Sequence, residues 1–466
     1  MKIAYYIIGM EIIVVGAGKV GITLIENFVK EGHDVVVVDC EEKSVDYVVN
    51  HFDANGIVGG GLERQVLLDA GAESADFLIA CTSRDELNIL CCVLAKKLGV
   101  KRTIARVRDP QLFAEIDSMR EYLGLDLAFN PELQTALEIA QVLKFPSAKS
   151  VDSFADGKAL MVEFDIGEKN PICGKSLMQI SATYGYKLLF CMIMRGEKVF
   201  IPRGDFTVME GDAVYIIAKE GELAAFCKAL KIFKPRAKSV FVIGGGKIAY
   251  YLAKELLQDG VAVKILESDK TRCEELSAAL TDATVLLGDG TDQTILDEEG
   301  LKNSDGCVTL TGIDEENVII SLYAQQKSVD KIVTKVDRSS ISDMVKKLGL
   351  ETVVSPRNVI ANRIIMFIRA AQAKFSDKMD ALYILNDKVE ALQFTVGDDF
   401  DSEGVPLSKF KIKKDVLIGG IVRDDEYIFP SGDASIQRRD KVIVVTTLKQ
   451  INDLSDIFRA GTYKAI

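Results

Sequence analysis

The chain has 466 residues, with 57 Lys and Arg against 69 Asp and Glu, and a net charge of −12 when both histidines are neutral. That length predicts roughly three or four domains, and a 48% hydrophobic content excludes a disordered chain. The acidic balance excludes nucleic acid, whose phosphates are met by basic patches, and disfavours direct adhesion to anionic lipid; no run reaches the roughly 18 apolar residues of a membrane-inserted helix.

In chain order, "MKIAYYIIG" at 1–9 is not read as a signal peptide, because no small-residue cleavage site follows its apolar run; Met10 stands where the first strand should begin, so 1–9 reads as an extension ahead of the natural start. "EIIVVG" then predicts a strand and "KVGITLIENFVKEG" a helix with apolar spacing. Next come the strand "DVVVVD", a helix near 42–52, the strand "GIVGG", a helix near 62–70, the strand "ADFLIAC", a helix near 85–98 and the strand "RTIARV". "EYLGLDLAFNPE" adds a last short strand. Strands alternating with helices predict a parallel, doubly wound, Rossmann-like sheet. Strands buried on both faces also explain solid aliphatic runs such as "VVVVD" and a mean hydropathy of +0.15. The following segment differs. "LLFCMIMRGEKVFIPRGD" shows short strands with tight Gly-Asp turns and predicts a small, β-rich α+β module.

The chain then repeats itself at an offset of about 228 residues. Gly16, Gly18 and Asp39 align with Gly244, Gly246 and Glu267; with one residue of drift, Thr82, Asn88 and Arg106 align with Thr311, Asn317 and Lys335. "FIPRGDFTVMEGDAVYII" at 200–217 aligns with "IFPSGDASIQRRDKVIVV" at 428–445, which sets Pro202, Gly204, Asp205 and Asp212 against Pro430, Gly432, Asp433 and Asp440. The expected architecture is therefore two α/β modules, at 1–131 and 237–356, each followed by a β-rich module, at 145–229 and 372–458. Helices at 132–144 and 356–369 connect each α/β module to its β-rich module, with linkers at 144–150, 231–239 and near 369–380.

Each α/β module opens with a glycine loop between its first strand and first helix. In G-x-G-x-x-G the first Gly makes a tight turn, the second admits a pyrophosphate, and the third lets helix and strand approach and tolerates Ala. The first module supplies Gly16, Ala17, Gly18, Lys19, Val20 and Gly21; the second supplies Gly244, Gly245, Gly246, Lys247, Ile248 and Ala249. The helix N-terminus then turns its positive dipole end to the phosphates. Asp39 and Glu267 end the next strand, where an acid bonds ribose hydroxyls and repels a 2′-phosphate; NAD(H) or an adenine nucleotide is favoured over NADP(H). Thr82 and Thr311 follow the fourth strand, and Arg106 and Lys335 end the fifth, where a cation can meet phosphate. One loop differs: "GGG" with Gly60 in the first module, "GDG" with Asp289 in the second. The two sites are expected to be unequal.

The alternative, a bifunctional NAD-dependent oxidoreductase with two Rossmann domains, needs a general acid–base group beside the nicotinamide. The only histidines, His33 and His51, lie in the first α/β module and read as solvated polar residues. Tyr250 and Lys254 form Y-x-x-x-K directly after a glycine loop, far from where a short-chain dehydrogenase keeps that pair. "CGKS" at 173–176 fails as a phosphate loop because Lys169 stands where its first Gly belongs. The nine cysteines form neither C-x-x-C nor a His/Cys cluster, and read as reduced core thiols. No catalytic group and no metal site is expected.

"VVGAGKVG…VVVVD…ADFLIACTSRDELN…IARVRDP", followed by "GKSL…IPRGDFTVMEGD", resembles an RCK N-terminal domain joined to an RCK C-terminal domain. The pair written twice is similar to the regulatory subunits of Trk potassium uptake systems. The resemblance implies a cytoplasmic protein, peripheral on the inner face of the plasma membrane. It implies a homo-oligomer, a tetrameric gating ring beneath a membrane potassium-conducting subunit (TrkH/TrkG-like). Such a ring binds NAD(H), or ATP and ADP, and passes a conformational change to the pore without catalysis. Carried over by motif position, one site comprises Gly16 to Val20, Asp39, Thr82 and Arg106, with Gly60 near the ribose. The other comprises Gly244 to Ile248, Glu267, Asp289 and Thr311. Gly60 departs from the usual polar residue of its loop and Ala249 from the third glycine, which puts equal affinity in doubt.

Overall fold

The first aliphatic run, Ile12 to Val15, is at most 1% exposed and forms the centre of a parallel sheet in the computed structural model. The structure describes residues 9–350, 352–370, 378–385, 388–400, 402–449 and 451–458. Positions 1–8 of the expected upstream extension and 371–377 of the expected third linker lie outside the described residues.

The first module runs β1 (Glu11–Val15), α1 (Lys19–Lys30), β2 (Asp34–Asp39), α2 (Glu42–His51), β3 (Asn55–Val58), α3 (Arg64–Asp69), β4 (Phe77–Ala80), α4 (Asp85–Leu98), β5 (Arg102–Arg106), α5 (Pro110–Leu123) and β6 (Leu127–Phe129). The strand order is β3-β2-β1-β4-β5-β6, and Val14 lies beside both Val37 and Ile79. The order reverses between β1 and β4, so the loops leaving their carboxyl ends diverge and leave a crevice. Apolar spacing on α1 brings Leu24, Ile25 and Phe28 to full burial against the sheet, each contributing about 1.5–3 kcal/mol. Asp109 caps α5 by accepting from the N–H groups of Gln111 and Leu112, and Gly124 ends it with φ +67°.

Helix α6 (Pro131–Lys144) leads to an antiparallel module of β7 (Val151–Phe154), β8 (Ala159–Asp165), α7 (Leu177–Tyr184), β9 (Leu189–Arg195), β10 (Lys198–Phe200), β11 (Asp212–Ala218) and α8 (Glu220–Ala229), ordered β10-β9-β11-β8-β7. "CGKS" has a structural job here. Ser176 caps α7, its hydroxyl accepting from Gln179 N–H while Gln179 Oε1 accepts from Ser176 N–H.

The second α/β module repeats the first. It runs β12 (Ser239–Ile243), α9 (Lys247–Gln258), β13 (Ala262–Glu267), α10 (Lys270–Ala279), β14 (Thr284–Leu287), α11 (Gln293–Glu298), β15 (Gly306–Thr309), α12 (Asp314–Gln326), β16 (Lys331–Lys335), α13 (Ser339–Lys347) and β17 (Thr352–Val354). Its order, β14-β13-β12-β15-β16-β17, reverses at the same place. After α14 (Pro356–Ala370) come β18 (Lys378–Leu385), β19 (Val389–Thr395), β20 (Val416–Arg423), β21 (Glu426–Ile428) and β22 (Lys441–Thr446), an antiparallel sheet ordered β18-β19-β22-β20-β21.

The chain forms two units. One comprises 1–135 with 355–361; the other comprises 136–354 and 362–466. Within the second, the two β-rich modules share one core. Phe154, Met161, Met192 and Tyr215 pack with Ala391, Val422, Ile443 and Val445. Gln393 Oε1 accepts from Ala155 N–H at 2.6 Å, and Tyr383 donates its hydroxyl to Ser153 O at 2.8 Å. This contact explains why β9 and β11 read as unbroken apolar runs: one face meets the module's own helices and the other meets the second sheet. The second α/β module is tied to the 144–150 linker. Lys144 bridges Glu255 and Asp259 at 3.1 and 2.9 Å, and buried Lys331 donates to Ala148 O.

Two acids in this unit are held against their charge. Burial pushes the half-buried Glu138 carboxyl up to about 7. Burial, then the charges of Glu138 and Glu163, pushes Asp152 well above its usual range. A carboxyl with a raised folded pKa holds its proton more tightly folded than unfolded. Its stabilising proton is lost as pH rises from about 4.5 through about 7. Glu138→Gln is therefore expected to leave stability unchanged near about pH 4 and to raise it by about 1–3 kcal/mol near about pH 8. Urea unfolding at the two pH values checks this.

Candidate functional site

The first candidate site lies in the crevice between β1 and β4. Gly16 sits at φ +107°, and a Cβ there would stand 2.9 Å from Thr82 N, so the turn admits only glycine. At Gly18 a Cβ would meet nothing within 4 Å; that space is open to an approaching group. Gly18 caps α1 without a side-chain hydrogen bond, and no acid stands in the first turn. The helix therefore offers its N-terminal donors and positive dipole end to an anion.

Asp39, at the carboxyl end of β2, reaches across this loop. One carboxylate oxygen accepts from Ala17 N–H at 2.6 Å and the other from Glu41 N–H at 2.9 Å. Thr82 follows β4, and both its N–H and its hydroxyl donate to Asn88 Oδ1, at 2.8 and 2.7 Å. Arg106 ends β5 and donates Nη2 to Thr82 O. Its Nε is buried with no partner among the described residues, and burial holds the guanidinium below its usual range. A buried, unpaired donor beside an open helix end fits an oxyanion of a bound diphosphate. Gly60 N–H donates to Glu63 Oε1 at 3.0 Å, so in this loop a neighbouring acid occupies the place of a side chain at 60. Buried Cys81, its thiol pushed up to about 12 by burial, donates to Gly16 O at 3.3 Å and supports the loop from below.

The second site reproduces the first with substitutions. Gly244 sits at φ +99°, Gly246 caps α9 without a side-chain bond, and a Cβ on Gly246 would again meet open space. Lys247 and Ile248 open α9 as Lys19 and Val20 open α1. Glu267 accepts from Gly245 N–H at 2.6 Å and from Asp269 N–H at 2.9 Å. Burial pushes this carboxyl up, but the N–H groups of Asp269, Gly245 and Ser268 outweigh it and leave the pKa lowered. Lys335 donates Nζ to Thr311 O at 2.8 Å, where the first site has Arg106 on Thr82. Asp289 follows β14 beside Glu267, exposed, with Oδ1 turned onto the N–H and hydroxyl of Thr291, both at 2.8 Å. Those two donors hold its pKa low.

The structure thus places the glycine-loop, strand-end acid, threonine and cation residues of both motifs at the carboxyl edges of two sheets. It also adds residues that the motifs did not mark. Buried Asn88 and Asn317 each clamp the fourth strand to the fifth: Asn88 donates to Arg106 O at 2.9 Å and Asn317 to Lys335 O at 3.1 Å. Their identity at the repeat offset was the available signal. Buried Asp85 and Asp314 fix the next loop by accepting from the N–H groups of Arg108 and Asp109, and of Asp337 and Arg338. Arg272, on α10, leans onto the second glycine loop with no counterpart in the first. His33 departs from the solvated reading: it is 7% exposed and accepts from Met10 N–H through Nδ1 at 3.3 Å. His51 stacks on Tyr47 at 4.2 Å. All nine cysteines are free thiols. No described helix is long and apolar enough to cross a membrane.

Two Rossmann-like modules with a glycine loop after the first strand, each followed by a small antiparallel module, define a tandem RCK-type protein. The chain belongs to the TrkA family: the TrkA-N domain model matches residues 12–131 and 240–356, and the TrkA-C domain model matches 161–231 and 392–459. It is 31% identical over 459 residues to the Trk system potassium uptake protein TrkA homolog 2 of Methanosarcina mazei, covering 97% of this chain and 100% of that one. It is 28% identical to Trk system potassium uptake protein TrkA of Azorhizobium caulinodans, covering 97% and 99%. Its fold resembles the crystal structure of the GsuK RCK domain, with a TM-score of 0.62 at 18% identity over 95% of this chain and 93% of that one. The GsuK channel bound to NAD matches equally, at 0.62 and 18%, over 95% and 77%.

Proposed function

We propose that the chain is a nucleotide-binding regulatory subunit of a potassium uptake system and has no enzymatic activity of its own. NAD(H), or ATP and ADP, occupies both glycine-loop sites and biases the state of a membrane potassium-conducting subunit. The observation that carries this reading is the pairing, in each module, of an uncapped, acid-free helix N-terminus with a strand-end acid bonded to the loop's own N–H. That pairing suits a diphosphate and a ribose diol. GsuK, of similar fold, has been seen with NAD and with ADP. A nucleotide gates only by binding two states differently; a homotetrameric ring on the cytoplasmic face would sum several such differences. The −12 chain complements cytoplasmic loops of membrane proteins, which carry excess Lys and Arg.

The test is calorimetry of the full chain with NAD, NADH, ATP and ADP, joined to potassium uptake by cells lacking their own regulatory subunit. Separated halves are unsuitable, because division would expose the core shared by the β-rich modules. Binding and restored uptake are expected. Turnover of NADH with a panel of carbonyl substrates would overthrow the reading. In a chain whose second site is blocked by Gly246→Asp, Asp39→Ala is expected to weaken nucleotide binding by about 1–3 kcal/mol, with the fold kept. Unchanged affinity would remove Asp39 from the site.

A further inference from the structure

The two sites also differ at one position on the ribose side. Arg272 lies in the first turn of α10, five residues past Glu267. Its Nε donates to Gly245 O at 2.8 Å, and its Nη1 pairs with Glu275 at 2.8 Å. Gly245 is the residue whose N–H Glu267 accepts. The guanidinium is therefore fixed against the loop residue that orients the ribose acid, and stands on the ribose side rather than at the N-terminus of α9. The side chain is 31% exposed. In the first site the matching residue is Ser44, whose hydroxyl is turned back onto Glu41 at 2.8 Å. Ser44 is neither planar nor cationic.

A guanidinium whose edge donors are engaged by protein acceptors has its flat face left for an aromatic ring, and Arg does this better than Lys because it is planar and weakly hydrated. The nucleotide part that extends past a ribose held by Glu267, away from the phosphates, is the base. We propose that Arg272 contacts the base of the nucleotide in the second site, stacking on adenine and making that site selective for purine nucleotides. The assignment rests on the nucleotide-binding reading above. It gives the two sites different tasks: the second reads the base, whereas the first holds its ligand through ribose and phosphates.

The test uses the full chain with the first site blocked by Gly18→Asp, a position where a side chain meets open space. ATP and UTP are titrated calorimetrically against this parent and against its Arg272→Ala and Arg272→Lys forms, with urea unfolding as the control for folding. Arg272→Ala is expected to weaken ATP binding roughly tenfold and to collapse the preference for ATP over UTP. Arg272→Lys is expected to restore little of either. A change within twofold, or an equal loss for both nucleotides, overturns the base contact. So does full rescue by Lys, which would leave only a point charge. Absence of nucleotide binding by the parent would sink the nucleotide reading and this inference with it.

Discussion

Asp212→Ala is expected to cost about 1–3 kcal/mol of stability, the scale of leaving a buried turn amide and a half-exposed guanidinium without their acceptor. Asp212 is completely buried at the start of β11. One carboxylate oxygen accepts from Arg195 Nε at 2.7 Å; the other accepts from Arg195 Nη2 and from Met209 N–H, both at 2.8 Å. Arg195 also donates to Thr207 O at 2.9 Å and lies 5.2 Å over the Phe206 ring. One carboxylate thus fixes both the hairpin strand and the turn that precedes its own strand. Alanine leaves the fork and the turn amide without their acceptor, and desolvated donors are costly. Asp440 repeats the device with Arg423 and Gln437 N–H. Because the two β-rich modules share a core, Asp212→Ala and Asp440→Ala should each lower the midpoint of one common urea transition. Two separate transitions, each moved by only one substitution, would contradict the shared core.

That device also marks how far the sequence could be read. The alternation of strands and helices was plain because parallel strands buried on both faces leave solid aliphatic runs, and the helices between them keep a 3.6-residue period. The connecting helices expected at 132–144 and 356–369 are Pro131–Lys144 and Pro356–Ala370. Both start at a proline, the residue that fits the first helical position. The β-rich modules were legible only as a class. Asp212 and Asp440 stood out as repeated turn residues, but their partners Arg195 and Arg423 lie 17 positions away across a hairpin, a distance that no local pattern encodes. The core between the two sheets was hidden for a related reason: apolar residues on both faces of a strand say that both are covered, not by what. At the glycine loops the order was reversed. Gly16 and Gly244 were legible because a positive φ beside another backbone admits only glycine there; Asp39, Thr82 and their counterparts were legible from their place at the strand ends. Asn88 showed only as an identity at the repeat offset, without its role, and Arg272 not at all, since a side chain that bonds a backbone carbonyl has no motif spacing.

The sharpest difference between the loops concerns the third glycine. A Cβ on Gly21 would stand 1.9 Å from Gly16 O, closer than any rearrangement of a flexible side chain could relieve. At the matching place Ala249 is fully buried in α9. The second loop has therefore settled around a methyl group that the first cannot hold. Gly21→Ala must drive α1 away from the loop or rotate the Gly16 peptide. Rotation breaks the bond from the Cys81 thiol to Gly16 O, and displacement pulls the N-terminal end of α1 out of place. The expected cost is about 1–3 kcal/mol of overpacking strain, with nucleotide-induced thermal stabilisation lost in a chain that keeps only the first site through Gly246→Asp. The reverse change is mild. Ala249→Gly should cost about 1 kcal/mol, the helix penalty of glycine, and leave binding at the second site intact in a chain blocked by Gly18→Asp. If Gly21→Ala kept its nucleotide-induced shift, the first loop would have the slack of the second, and the inequality of the two sites would rest on Arg272 and Asp289 alone.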